Sequence, residues 1–351
     1  MKDRIISMIA ERLAPGMQYL AVDAHGPVCD YAGGWADVAG KRPMERGTTM
    51  MLYSMTKTFT AAAVLQLVAS GRVGLDEPVR TYIPESPYGD GLTVRHLLSQ
   101  TSGIPNPLPL KWVHRASEHA DFNEDAALRM VLARHRRPAF APGRKYGYSN
   151  ISYWLLGRVL ERSSAMAFGD YLRKNVFDRL GMSPQEIDVV IPAAALHAKG
   201  YMPRLSLLNL FRSFLLEKRF LVGNEGRWFH IEDHYLNGPA FGGIVASGRM
   251  VALFLRDQLQ ERSVLLDPAA RRLFYEQQKD DRGMPVPMTL GWHIGSVRGA
   301  PFYYKEGGGG GFHGEMRVYP DRGLATVALA NNAAFSARRF LSIMDENLGR
   351  T

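Results

Sequence analysis

Cysteine occurs once in the 351 residues, at Cys29. An intramolecular disulfide is therefore excluded, and nothing in the composition asks for an oxidising compartment. No stretch reaches the ~20 apolar residues of a membrane span. The opening, "MKDRIISMIAERLAPG", is broken by Lys2, Asp3, Arg4, Glu11 and Arg12, so it lacks the apolar core of a signal peptide. The expectation is a cytoplasmic protein without stable membrane insertion. Nucleic-acid signatures are missing too. The formal net charge is +9, but the basic residues are dispersed, and the densest run, "ARHRRP" at 133–138, is short. No nucleic-acid partner is expected. Metal motifs are nearly absent. "HIEDH" sets His230 and His234 four apart, as one helical turn would for zinc. The glutamate is misplaced for His-Glu-x-x-His and no third ligand accompanies the pair, so neither a metal nor another cofactor is expected.

What is present is a large, ordinary globular composition. Hydrophobic residues make up 46% and charged residues 22%, enough for a sizeable core in one large domain or two intertwined ones. Residues 17–36 read as two short strands around "AHGP". From Met55 to Ser70 the pattern is helical, with Phe59, Ala63 and Leu67 recurring every fourth residue, and Gly71 and Gly74 stop it. Residues 76–200 read as mostly helical and loop-rich, with helices over 93–99, 124–135, 150–162 and 168–180. Strand signals return at 288–297, 301–305, 313–320 and 324–331, with "DRG" at 321–323 as a hairpin. A final amphipathic helix covers 335–348. Strands at both ends and helices between predict one sheet built from both termini around a helical insertion. The expected domains are 1–75 with 240–351, and a helical domain over 76–239 with a possible lid at 201–236.

Three short stretches could carry chemistry. In "YSMTKTF" (53–59), Ser54 precedes Lys57 by three residues. Blandly, Ser54 caps the helix that follows. Functionally, Lys57 lies on the same helical face and can take the serine proton if burial and a second cation depress its pKa. In "YGYSNISYWLLG" (146–157), Ser149 or Asn150 reads as a helix cap and Tyr148 as a packing residue. Alternatively, Tyr148 lies between two lysines as a phenolate-like base, and Asn150 orients substrate and Lys57. In "YYKEGGGGGFHGEMRVYP" (303–320), the glycine run leads into a strand and lacks Gly-Lys-Ser/Thr, which argues against a phosphate loop. Glycines within strand pairing mark close approach of backbone or ligand, with Lys305 at the run's start. A flexible hairpin is the alternative.

Serine-x-x-lysine, tyrosine-serine-asparagine and lysine-x-glycine, in this order, resemble the active-site set of the penicillin-recognising serine hydrolases. The tyrosine in the second motif resembles the class C β-lactamase branch, which includes the family VIII carboxylesterases. The likeness extends to "LTVRHLLSQTSGI" (92–104), "VFDRLGMSP" (176–184), "GGIVAS" (242–247) and "GGFHGEMRVYPDRGLATVALAN" (310–331), and covers most of 17–349. It implies an α+β fold of the β-lactamase/transpeptidase type, an α/β three-layer sandwich with an antiparallel sheet flanked by helices and a helical insertion. It also implies Ser54 as acylated nucleophile, Lys57 and Tyr148 sharing the acid and base work, and Asn150 and Lys305 orienting substrate and supporting Tyr148. The backbone N–H groups of Ser54 and Gly308 are the implied oxyanion hole.

One departure bears on substrate. The third motif reads Lys305-Glu306-Gly307, where the lactamases have threonine near the lactam carboxylate. Glu306 either repels such a substrate or, by strand alternation, points away. In both cases the hydroxyl is missing, which favours neutral carboxylic esters over β-lactams. β-Lactamase and D-amino-acid peptidase activities use the same residues and stay open, as does a protein that is acylated without turning over. The stretch "LSLLNLFRSFLLEKRFLVG" (205–223) reads as a packed helix, an apolar lid for an acyl chain, or a basic amphipathic surface helix.

Overall fold

The computed structural model describes residues 13–107, 112–204, 218–297 and 299–348. Seven strands form one antiparallel sheet: β1 (Gly16–Val22), β2 (Pro27–Asp37), β3 (Arg42–Pro43), β4 (His293–Val297), β5 (Ala300–Gly308), β6 (His313–Tyr319) and β7 (Leu324–Ala330). Their order is β4-β5-β6-β7-β1-β2-β3, so strands from both ends of the chain meet where β1 pairs with β7. The longer helices are α1 (Thr56–Ala69), α2 (Glu124–Arg134), α3 (Asn150–Ser164), α4 (Gly248–Leu259), α5 (Pro268–Tyr275) and α6 (Ala337–Leu348).

Side-chain alternation divides the central strands between two cores. Leu20 and Val22 of β1 join Val327 and Leu329 of β7 in the large core that holds α1, α3 and α4. Tyr19 and Ala21 join Ala328, Ala330, Phe340 and Leu341 in a smaller core under α6. Helices thus cover both faces of the sheet, which gives the expected three layers. Helix α1 is buried on nearly every side from Thr56 to Leu65. It runs through the interior rather than along the surface, as an apolar helix without a polar face must.

The sequence reading departs from the structure in places. Strand β4 begins at His293 rather than 288, because Thr289 and Trp292 close a turn and Gly291 has φ 124°. The expected 168–180 helix is broken into a short α segment (Phe168–Leu172), a π turn (Arg173–Phe177) and a 3-10 turn (Asp178–Leu180). The middle of the chain also contains strands. Val113–Arg115 pairs with His234–Leu236, and Trp228–Ile231 lies between Gly200–Pro203 and Leu221–Glu225. His230 and His234 therefore sit on separate strands, not on a helical turn. Of the 205–223 stretch, 205–217 lies outside the described residues. Lys218–Phe220 is one 3-10 turn and 221–223 enters a strand, which corrects the helical reading there. Among the described residues, no helix is long and apolar enough to cross a membrane.

Candidate active site

Ser54 sits in a 3-10 turn, Tyr53–Met55, that leads into α1. It does not cap the helix: Met55 holds the N-cap position and no side chain caps it. Tyr53 has φ 46°, a conformation unfavourable for a bulky residue. Its hydroxyl donates to the Gly310 carbonyl at 2.7 Å and lies 3.1 Å from His234 Nε2, so long-range contacts hold the turn. The turn presses directly on β5. A Cβ on Gly307 would lie 2.1 Å from the Leu52 carbonyl oxygen and 2.9 Å from Ser54 N. Only glycine allows the strand to approach the serine so closely.

Lys57 follows one turn into α1 and is fully buried. Its Nζ lies 3.0 Å from Ser54 Oγ, 2.8 Å from Asn150 Oδ1 and 2.6 Å from the Phe241 carbonyl oxygen. Burial, with the charge of Lys305, pushes Lys57 well below the usual lysine pKa. The neutral amine fits this environment. Two N–H groups satisfy the two oxygens that can only accept, and the lone pair faces Ser54, whose hydroxyl can donate.

Tyr148 comes from the loop before α3 and donates its hydroxyl to Ser54 Oγ at 2.7 Å. Burial raises its pKa despite the neighbouring lysines. Burial thus favours the donating phenol over the phenolate-like base that was one of the readings open from sequence. Ser149 does cap α3, accepting from Ser152 N, while Asn150 turns its amide oxygen to Lys57. The Asn150 backbone N–H donates to Asn106 Oδ1 at 3.0 Å, a support that sequence reading did not single out. The His293 ring stacks against Tyr148 with centroids 6.2 Å apart. Burial, then the charge of Lys305, holds His293 down to about 2, so it is neutral there.

Register places Lys305 opposite Met316, on the face that carries α1. Its ammonium stands 5.5 Å from the centre of the Tyr148 ring; the residue is 1% exposed, and among the described residues the ammonium has no hydrogen-bond partner. Burial brings Lys305 down to about 7. Glu306, one residue on, lies on the opposite face. It pairs with His313 at 3.2 Å and Arg338 at 3.1 Å. Strand alternation thus takes its carboxylate out of the site, and the repulsion considered from sequence does not arise there.

The lowered Lys305 pKa has a consequence for stability. The unfolded chain binds more protons than the folded one between pH 7 and 10.5, so stability rises with pH across that window. Below it, the full cost remains, on the order of 5 kcal/mol. Lys305→Met is expected to raise the melting temperature at pH 7, with the gain shrinking toward pH 10. Calorimetry across that range checks it. An unchanged or lowered melting temperature at pH 7 would contradict a buried, strained lysine.

A cavity of about 140 Å³ is lined by Ser54 and Asn150 together with Tyr53, Val113, His234, Leu236, Phe241 and Gly308–Gly310. The structure therefore brings Ser54, Lys57, Tyr148, Asn150, Lys305 and Gly308 to one place. It adds Tyr53, Phe241 and His234. A model of the beta-lactamase family, described as "Beta-lactamase", matches residues 4–342. The chain belongs to the beta-lactamase family. As a family member it is a serine hydrolase of the penicillin-recognising superfamily.

Relatives of this beta-lactamase-family chain differ in their activities. It is 26% identical over 324 residues to penicillin-binding protein 4* of Bacillus subtilis (strain 168), covering 89% of this chain and 67% of that protein. It is 29% identical over 199 residues to a beta-lactamase of Escherichia coli (strain K12), covering 56% of this chain and 50% of the relative. The chain thus spans about half to two thirds of these curated relatives. In structure it resembles the D-amino acid amidase of Ochrobactrum anthropi SV3, with TM-score 0.77 and 20% identity over 94% of this chain and 90% of that one.

Proposed function

We propose that this beta-lactamase-family hydrolase cleaves neutral carboxylic esters of short to medium acyl chain through a Ser54 acyl-enzyme, as in the family VIII carboxylesterase branch. The observation that carries the reading is the uncharged cavity wall. Among the described residues, no lysine, arginine or carboxylate side chain lines it. A D-amino-acid amide brings an ammonium, and desolvating it without a partner is costly; for a β-lactam carboxylate, the threonine hydroxyl of the lactamase motif is missing, with Glu306 in its place. Arg338, the cation beyond β5, is already paired with Glu306. A neutral acyl group meets no such penalty.

The chemistry follows from the proton positions. Ser54 Oγ attacks the ester carbonyl and gives its proton to the neutral Lys57 amine. The oxyanion receives the backbone N–H groups of Ser54 and Gly308, donors commonly worth ~3–4 kcal/mol each. As the C–O bond breaks, Tyr148 passes its phenolic proton to the leaving alkoxide. The phenolate that remains lies beside two cations, Lys57 and Lys305, which stabilise it only at this stage. Water then attacks the acyl carbon and returns a proton to Tyr148. Collapse of the second tetrahedral intermediate restores the Ser54 hydroxyl from Lys57, and every group regains its starting state. Asn150 holds Lys57 in place throughout.

The test compares p-nitrophenyl acetate, butyrate and octanoate with a chromogenic cephalosporin. Ester kcat/KM is expected to exceed that for the lactam by at least ~10-fold, since an unmatched carboxylate forfeits a charged hydrogen bond of about 1.5–3 kcal/mol. Efficient cephalosporin hydrolysis would overturn the substrate assignment. Stoichiometric acylation without turnover would identify a ligand-binding protein instead.

A further inference from the structure

Two cavities flank the ribbon formed by Val113–Arg115 and His234–Leu236. The first, of about 140 Å³, opens on Ser54 and takes Val113, His234 and Leu236 from the ribbon. The second, of about 250 Å³, takes His114, Tyr235 and Leu236. Strand alternation explains the division. Residues directly opposite one another share a face, so the pair Tyr235 and His114 points away from the pair Leu236 and Val113. Among the described residues, Leu236 alone lines both cavities.

Leu236 is held there by the segment that also meets Lys57. A Cβ on Gly242 would fall 2.3 Å from Leu236 Cδ1 and 3.4 Å from the Tyr53 carbonyl carbon. The leucine methyl thus fills the space a side chain at 242 would take. Gly242 directly follows Phe241, whose carbonyl oxygen accepts from Lys57. The partition is therefore built against the catalytic turn itself. Tyr148, which serves the leaving group, does not line the first cavity, so the acyl portion of an ester falls there. A cavity of about 150 Å³ accommodates benzene, with its six carbon atoms. The first cavity is of that size, and a longer chain runs into Leu236. Beyond the leucine, Phe122, Phe168 and Val189 offer further apolar surface.

We propose that Leu236 sets the acyl-chain limit of this hydrolase, admitting chains up to about six carbons and shutting longer ones out of the second cavity. The proposal deepens the ester reading above and rests on it.

The experiment measures kcat/KM for p-nitrophenyl acetate, butyrate, hexanoate, octanoate and decanoate. In the parent, rates are expected to rise about 4-fold per methylene from acetate to butyrate. They should level off at hexanoate and fall at least ~5-fold by decanoate. Leu236→Ala removes the partition, and its decanoate-to-butyrate ratio should rise ~10-fold or more. Leu236→Phe narrows the first cavity and should bring the optimum down to acetate. Ala167 lines the second cavity only and is exposed, so Ala167→Phe fills that cavity from its rim. Alone it should leave the parental series unchanged; combined with Leu236→Ala it should take back the decanoate gain. A parental optimum at octanoate or decanoate would overturn the proposal, as would an unchanged ratio in Leu236→Ala. A gain that survives Ala167→Phe would do the same, because it would come from a loosened site and not from a joined cavity. If Leu236→Ala loses acetate turnover, the Leu236→Phe series decides, and an optimum that stays at the parental length would overturn the proposal. Failure of the ester reading looks different: no ester, acetate included, would turn over in the parent.

Discussion

Ser54→Ala is expected to lose ester turnover by ~10,000-fold or more, because removing a nucleophile disables the groups that serve it. The serine receives a hydrogen bond from Tyr148 and lies within hydrogen-bond distance of Lys57, with Gly307 packed behind its backbone. All three contacts suit the proposed reaction of that oxygen. A serine-directed phosphonate should add one adduct to the Ser54 peptide of the parent and none to the variant. The circular dichroism spectrum should not change, since Ser54 does not cap α1. An alanine variant that hydrolyses esters at the parental rate would falsify the mechanism.

The second large effect separates Tyr148 from Lys57. Loss of a proton-transfer group commonly costs ~100- to 10,000-fold. Lys57→Ala removes the base that acts on Ser54, so kcat/KM should fall in that range for every ester. Tyr148→Phe removes the donor to the leaving alkoxide. A p-nitrophenolate leaves without help, whereas an ethoxide does not. The variant should therefore lose far more kcat/KM on ethyl esters than on p-nitrophenyl esters. Equal losses on both would show that Tyr148 acts on the serine proton rather than on the leaving group. The pH profile offers an independent check. Activity should fall as pH drops through the depressed Lys57 pKa, because the protonated amine has no lone pair for Ser54.

Most of this site was legible in the chain because its parts are local. Ser54 and Lys57 lie one helical turn apart, and Tyr148 and Asn150 flank one helix start, so spacing alone brings each pair together. Lys305 and Glu306 were legible through strand alternation, which requires neighbours to point to opposite faces. The outer sheet strands and α3 followed from period and turn chemistry. His234 was missed for a physical reason. Its strand, His234–Leu236, pairs with Val113–Arg115, a partner more than a hundred residues earlier that leaves no local trace. The four-residue spacing to His230 instead suggested a helix. Tyr53 was missed because its role depends on a positive φ and on hydroxyl contacts to residues far along the chain. The phenol state of Tyr148 required knowledge of burial, since two nearby lysines alone argue for the phenolate.

The meeting of β1 with β7 sets an order of events during synthesis. All seven residues of β1 are buried in the finished protein, and one of its edges belongs to β7. Translation delivers Leu324–Ala330 some three hundred residues after β1. At ~5–20 residues per second, that edge waits roughly 15–60 s on the ribosome without its partner. An apolar strand with an open edge is a template for unwanted pairing during this interval. Lys305 and Gly308 emerge late as well, so the nascent chain carries Ser54 without the strand that packs against its turn. Expression yield should then respond to elongation rate and to holdase chaperones more than to the melting temperature of the finished enzyme.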